Sequence, residues 1–387
     1  MTGTDNCIMR HFLIVEELLS SGRLWCASDL SLRAEAATML LAVAGDLVSV
    51  PGVRVSVLLS VEALAGPVGD QLRVGGVELL LAADGPEQWL RSPTVSPAQF
   101  TATLVIAPES AGLLVQRLQQ LQSGVWSGVT SLNVSWQQAA LFGDKAATAV
   151  WLQAHFLKTP ATVALTAESA ERLKDSRVTG RLDLRTGSLS SDAGGDVLPG
   201  DSELYVLKPR DGCGCGEVQL LSLSRDEAKA LRTVGVRVVE TVPGAEFSWL
   251  LQPLQVGQHC SAGLIGCGAG TAVMLPAGEQ LIECQFGRFR YMGGRLPAGD
   301  AVQIAAGVML RRLAGVLGAF RGWLGVDFVV ADGGELQILE INPRLCTSYV
   351  GYRQLAGFSL AGVLSEGFGV AGSELPWCAE RVGFRVC

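Results

Sequence analysis

The stretch that most restricts the fold runs from Gly325 to Gly351 and reads GVDFVVADGGELQILEINPRLCTSYVG. It predicts two short strands, Val326–Asp332 and Glu335–Ile341, joined by Gly333-Gly334. A two-residue Gly-Gly loop suits a type I′ turn, in which both central residues need positive φ. In that register Asp332 pairs with Glu335, so Asp327 lies opposite Glu340. Alternation puts Asn342 on the face of Glu340. Two carboxylates and an amide oxygen then meet at one end of a hairpin otherwise built of Phe, Val, Ile and Leu. Like charges set opposite each other destabilise a sheet, and burial adds to the cost. A hard divalent cation removes both penalties, and an all-oxygen donor set suits magnesium. The same pattern also fits a hairpin end whose acids are solvated, and a one-residue slip would send the acids to opposite faces.

Glu340-Ile341-Asn342-Pro343-Arg344, with Asp327 upstream, resembles the magnesium-binding end of the ATP-grasp superfamily. The longer string EINPRLCTSYVG more narrowly resembles the tyramine–glutamate ligases of methanofuran-type cofactor biosynthesis and their unassigned relatives.

At 387 residues the chain suits two or three domains rather than one core. It is 49% hydrophobic and 17% charged, which places it among globular chains. A net charge of −7 without a basic stripe argues against nucleic acid as a partner. The apolar run Phe12–Val15 is cut short by Glu16 and Glu17, so it does not read as a signal peptide. Val302–Phe320 is apolar but interrupted by Arg311 and Arg312, which predicts a buried or amphipathic helix and no membrane span. The ten cysteines are scattered. Cys213-Gly-Cys215 lacks partners at zinc spacing, so the thiols read as reduced and the protein as cytoplasmic.

Residues 1–140 alternate strand-like and helix-like segments. Phe12–Val15, Val53–Leu59 and Leu104–Ala107 read as strands, and Leu32–Leu47 and Ser110–Gln122 as helices. This alternation predicts a doubly wound parallel sheet. Gly143-Asp144-Lys145 opens a further helix with Asp144 as N-cap, ending before Lys158-Thr159-Pro160. Thr186–Gly200, rich in Ser, Gly and Asp, reads as a mobile loop. Glu203–Lys208 and Val218–Leu223 read as strands flanking Pro209–Gly216. The glycines of that loop let backbone N–H groups approach phosphate oxygens, with the point charge of Lys208 at its base. A Walker loop is excluded, because a strand follows instead of a helix. Phe247–Leu251 reads as a strand and Gln252–Gly257 as a linker. Cys260–Met274 and Glu279–Cys284 read as strands, and Tyr291–Pro297 as a substrate-facing loop or a plain turn.

The resemblance implies an α/β chain of ATP-grasp fold. Its parts are an N-terminal doubly wound parallel-sheet domain (residues 1–140), a small α+β lid (141–255) and a C-terminal mixed-sheet domain with the metal site (256–387). It implies ATP and one or two magnesium ions as cofactors, with manganese as a substitute. Asp327, Glu340 and Asn342 would be the metal ligands. Lys145, Lys208 and the loop glycines Gly212, Gly214 and Gly216 would hold phosphates. Gln252, Leu254 and His259 would contact the adenosine, with the Leu254 N–H as base donor because Pro253 has none. Many relatives carry an acid where Pro253 stands and a Glu where His259 stands, so the adenine and ribose contacts are the departures from the pattern. Arg344, and secondarily Arg295, would steady a carboxylate or acylphosphate. The implied reaction is ATP-dependent joining of a carboxylate to an amine, with glutamate and an aromatic amine as the implied pair. A nucleotide-binding regulatory or scaffold protein without turnover is the alternative. The expected partners are small molecules, neither nucleic acid nor membrane, and a homodimer is compatible with the reading.

Overall fold

A computed structural model describes residues 9–22, 30–82, 95–190, 202–212, 214–215, 217–234, 236–237, 247–268, 270, 272–366, 377 and 380–385. The first sheet holds β1 (Arg10–Glu16), β2 (Val53–Leu59), β3 (Glu78–Leu81), β4 (Ala102–Ile106) and β5 (Thr130–Ser131) in the order β3-β2-β1-β4-β5. Every pairing is parallel. The central strands β1 and β4 are near-continuous apolar runs because both faces are covered. The helices Leu30–Val48 and Leu113–Leu121 supply cover, with Leu40, Leu47, Leu114 and Leu118 fully buried. The expected helix Ser110–Gln122 starts later than its sequence suggests. Ser110–Gly112 forms a 3-10 turn, and Ala111 and Gly112 take positive φ before the α-helix begins.

In such a sheet the crevice lies at the carboxyl ends of β1 and β4, where the chain order reverses. Four charged groups collect there. Glu16 ends β1, and Glu17 opens the next turn. Glu109 follows β4, and Arg117 comes up from the helix after it. Arg117 pairs with Glu17 through Nη2–Oε1 at 2.7 Å and Nε–Oε2 at 2.9 Å, with both side chains sealed from solvent. Removing one partner of a buried pair strands the other charge. Arg117→Ala should therefore cost about 3–5 kcal/mol in urea unfolding; an unchanged midpoint would show that the pair carries no structural weight.

The second sheet is antiparallel throughout. It comprises β6 (Val163–Thr166), β7 (Arg181–Leu182), β8 (Leu189–Ser190), β9 (Ser202–Pro209), β10 (Gln219–Ser224), β11 (Val236–Arg237), β12 (Phe247–Pro253), β13 (Gln258–Cys267), β14 (Ala272–Gln285), β15 (Arg288–Leu296), β16 (Arg321–Val330), β17 (Leu336–Asn342) and β18 (Val382–Arg385). Its path runs β11-β6-β12-β9-β10-β15-β14-β13-β16-β17. The halves on either side of β10 and β15 meet at a single register pair, Gln219 with Arg288. No helix among the described residues is long and apolar enough to cross a membrane. The described cysteines, Cys215, Cys260, Cys267, Cys284 and Cys346, are free thiols.

Four expectations from the sequence are corrected here. Cys260–Met274 is not one strand: the chain leaves β13 after Cys267 and re-enters as β14 at Ala272, with Gly268 and Gly270 at positive φ in between. Gln252-Pro253 belongs to β12 rather than to a linker, with Pro253 opposite Tyr205. The helix expected over Val302–Phe320 runs from Asp300 to Leu317. Tyr291–Leu296 is part of β15, not a loop. Its glycines serve packing: a Cβ at Gly293 would lie 2.1 Å from the Phe384 carbonyl oxygen. β18 can pair with β15 only because that Cβ is missing. Of the segment expected to be a mobile loop, Leu189 and Ser190 form β8, and residues 191–200 lie outside the described residues.

Candidate active site

The hairpin β16–β17 sets Asp327 opposite Glu340 and Gly325 opposite Asn342. The route to that register differs from the one the sequence suggests. The loop is Asp332–Gly334, closed by Gly334 N–H donating to the Ala331 carbonyl at 2.8 Å and Ala331 N–H donating to that of Glu335 at 2.9 Å. Only Gly334 has positive φ, at 78°, so this is a three-residue loop and not a type I′ Gly-Gly turn. The extra loop residue shifts the pairing by one, so Phe328 faces Ile338. A bulge at Leu339 then shifts it back. The two shifts cancel, and the acids share a face.

Around that pair the side chains converge. Asp327 Oδ2 accepts from Asn342 Nδ2 at 3.0 Å, and Oδ1 accepts from Gln280 Nε2, on β14, at 2.9 Å. Glu340 Oε2 lies 3.6 Å from Lys145 Nζ. Lys208, on β9, is buried, and both Glu340 and Asp327 act on its charge. Burial first, then the charge of Glu340, pushes the Asp327 carboxyl up. Burial alone would raise Glu340 too, but Lys145 and Lys208 offset it and hold that carboxyl below its usual range. Burial depresses Lys208, and the neighbouring Lys145 adds to the effect. Two acids therefore compete for charge beneath two lysines, and a divalent cation would relieve that competition. Among the described residues no third acidic, imidazole or thiol side chain joins the pair. Asp327, Glu340 and the Asn342 amide oxygen fit a magnesium ion that keeps open positions for other oxygen ligands.

Lys145 opens the helix Lys145–Ala154, whose N-cap Asp144 accepts from the N–H groups of Ala146 and Ala147. Asp144 also takes a forked pair from Arg210 at the end of β9, with Nε–Oδ1 at 2.9 Å and Nη2–Oδ2 at 2.6 Å. Lys145 N–H donates to the Arg210 carbonyl at 3.1 Å and its Nζ donates to the Gly212 carbonyl at 2.6 Å. The Gly-rich loop is thus fastened at its base to the start of this helix. Asp211 fastens it to the first sheet as well, accepting from the Ala111 N–H at 2.9 Å. Gly212 and Gly214 have positive φ and line the cleft, whereas Cys213 and Gly216 lie outside the described residues.

A cavity of about 790 Å³ joins these groups. Lys145, Lys208, Gln252, Leu254, His259, Asp327, Glu340, Asn342 and Arg344 all contribute to its wall. Gln252 turns its amide to Thr162, donating to Oγ1 at 2.8 Å. The Leu254 N–H donates to the Leu204 carbonyl at 2.9 Å, so the expected free donor for a base is engaged within the sheet edge. His259 Nε2 is buried with no partner among the described residues, and burial pushes that imidazole down to about 4. Arg295 is placed elsewhere: it lines a neighbouring pocket with Arg181, Glu279 and Arg381 rather than this cavity. The expectation that it faces the same substrate as Arg344 is corrected accordingly.

Several residues here escaped the sequence reading. Glu109 forms an ion pair with Arg344, Oε1 to Nε at 2.9 Å. Gln280 braces Asp327, Arg210 braces Asp144, and Glu35 accepts from the Thr347 hydroxyl at the far wall. A charged residue just past a parallel strand at the reversal of chain order was a signal for Glu109. No local pattern marks the others.

Comparison with known proteins follows the same lines. The sequence profile of the ATP-grasp domain matches residues 142–348. No curated protein sequence matches the chain. Among solved structures, an ATP-grasp superfamily protein from Archaeoglobus fulgidus superposes with a TM-score of 0.62 at 20% identity, over 97% of this chain and 92% of that one. N5-carboxyaminoimidazole synthetase from Staphylococcus aureus gives 0.57 at 13% identity, over 95% and 78%. Biotin carboxylase from Campylobacter jejuni, solved with a β,γ-ATP compound, gives 0.57 at 14%, over 96% and 73%.

Proposed function

The chain belongs to the ATP-grasp family, and from that premise we propose that it is an ATP-dependent ligase joining a carboxylate to an amine. The observation that carries the proposal is the opposition of Asp327 and Glu340 to Lys145 and Lys208 in one cavity. Phosphoryl transfer needs positioning and charge neutralisation more than a nucleophilic side chain, and this wall offers both. Lys145 and Lys208 hold phosphate oxygens, and Gly212 and Gly214 line the cleft beside them. Asp327, Glu340 and Asn342 would hold a magnesium ion, which when bound would supply positive charge to neutralise phosphate oxygens. Arg344 steadies the substrate carboxylate.

A carboxylate oxygen of the acid forms a bond to the γ-phosphorus as the bond to the β-phosphate oxygen breaks, giving an acylphosphate and ADP. The amine nitrogen then bonds to the acyl carbon, the carbon–oxygen bond to phosphate breaks, and the nitrogen loses a proton. The finer proposal is glutamate as the acid and an aromatic amine such as tyramine as its partner. It is supported by the EINPRLCTSYVG string and by the aromatic Tyr291 and Phe289 in the cavity wall. The test is a screen of ADP release over acid and amine pairs, glutamate with tyramine included. Release that needs an added acid supports the ligase. Tight binding of Mg-ATP with no release from any pair would identify a nucleotide-binding protein without turnover.

A further inference from the structure

Arg344 reaches the cleft held on two sides. Its Nε lies 2.9 Å from Glu109 Oε1, and its Nη1 donates to the Leu345 carbonyl at 3.2 Å. The side chains of the pair are only 12% and 4% exposed. Glu109 comes from the first sheet and Arg344 from beyond β17 of the second, so the contact crosses between the two. The cavity is lined by Ser110, Ala111 and Arg344 but not by Glu109, which stands behind Arg344. The stem of Glu109 packs beside Gly143, where a Cβ would stand 3.5 Å from its Cβ and Cγ. Gly143 immediately precedes Asp144 and Lys145, so the wedge that holds the arginine also abuts the start of the lysine helix.

The neighbouring acids do not compete for this role. Glu17 is occupied by Arg117. Glu16 accepts from the Leu19 N–H, and burial pushes its carboxyl up to about 8. Arg344 also acts on the charges of Glu16, Asp327 and Glu340, and Glu109 lies within ion-pair distance of it at 2.9 Å.

We propose that Glu109 is a positioning residue: by pairing with Arg344 across the two sheets, it fixes the guanidinium where the substrate carboxylate and its acylphosphate must sit. The inference rests on the ligase reading above. An arginine side chain has many rotamers, and a displaced binding group costs turnover even when its charge is kept. The role is assigned to the acid subsite, because the charged end of Glu109 meets Arg344 and neither Lys145 nor Lys208.

The experiment compares wild type, Glu109→Ala, Glu109→Gln, Arg344→Lys and the Glu109→Ala/Arg344→Lys double variant. Acid-dependent ADP release is followed with an acid panel headed by glutamate, with tyramine as amine, and Mg-ATP binding is measured by calorimetry. Glu109→Ala should raise the KM for the acid by about 10-fold or more while leaving the Kd for Mg-ATP within about twofold. Glu109→Gln, which keeps the side-chain volume beside Arg344 but removes the charge of the ion pair, should recover only part of the loss. In the Arg344→Lys background Glu109→Ala should add nothing further, because the two residues act as a unit. Parallel weakening of Mg-ATP and acid, or losses that multiply in the double variant, would overturn the positioning role. If Glu109→Ala does not fold, the smaller shift in Glu109→Gln and its disappearance beside Arg344→Lys decide the matter. Wild-type protein that releases no ADP with any acid would remove the ligase reading and this inference together. Normal turnover with an unmoved acid KM in Glu109→Ala would remove only the inference.

Discussion

Glu340→Gln should lower ADP release by about 10²–10³-fold at saturating magnesium while the protein stays folded. The substitution preserves volume and removes one charge from the cavity wall. In the native protein Glu340 is the acid held ionised by Lys145 and Lys208, whereas Asp327 is pushed toward its protonated form. The glutamine leaves no competing carboxylate, so Asp327 can ionise and serve as counter-charge to both lysines. The fold should therefore lose little, because Asp327 takes over the counter-charge and the volume of the site is kept. On the proposed reading the variant would lose a negative oxygen ligand, and with it the hold on the magnesium ion that would neutralise phosphate oxygens as they gain charge. Circular dichroism and the melting temperature check the first half of the prediction, and ADP release checks the second. Wild-type release from this variant would show that Glu340 has no part in the chemistry.

Lys208→Ala should weaken Mg-ATP binding by about 10- to 150-fold, the equivalent of one charge-assisted hydrogen bond of about 1.5–3 kcal/mol. Lys208 is buried at the base of the Gly-rich loop, and burial holds its pKa down. A lysine kept in that state has lost its water and gains more than an exposed one from a phosphate oxygen. Lys145 differs, because its Nζ already donates to the Gly212 carbonyl and its backbone N–H to that of Arg210. Its removal would loosen the loop as well as the phosphate contact, which makes Lys208 the cleaner probe. Calorimetric titration with Mg-ATP gives the answer. A Kd within twofold of wild type would place the phosphates away from β9.

The parallel sheet was legible because its strands are uninterrupted apolar runs, and runs of that kind fit only positions covered on both faces. The Asp144–Lys145 helix start was legible because capping is local chemistry. The hairpin was legible for a less secure reason. Its loop is one residue longer than Gly333-Gly334 suggests, and only the bulge at Leu339 returns Asp327 to the face of Glu340. The one local mark of that bulge is the adjacent apolar pair Ile338-Leu339, which breaks the apolar-polar alternation of LQILEIN. The glycines of β15 misled in the opposite direction. Gly293 reads as loop punctuation, but it is small because the backbone of β18, about ninety residues later, lies against it. Glu109 with Arg344, and Asp211 with Ala111, were out of reach for the same cause. These contacts exist only after the two sheets have come together, and no sequence spacing encodes them.

The central claim is that a carboxylate is activated by phosphoryl transfer at the site between Lys208 and Glu340. It is tested most directly by following oxygen through the reaction. Glutamate labelled with ¹⁸O in its carboxyl groups would be incubated with Mg-ATP, tyramine and the protein, and the phosphate released would be analysed by mass spectrometry. An acylphosphate leaves one carboxylate oxygen on phosphorus when the amine displaces it, so each phosphate formed should carry one ¹⁸O, and Glu340→Gln should produce none above background. ATP consumption that yields unlabelled phosphate would mean that water, not the carboxylate, takes the γ-phosphoryl group, and the ligase account would be wrong.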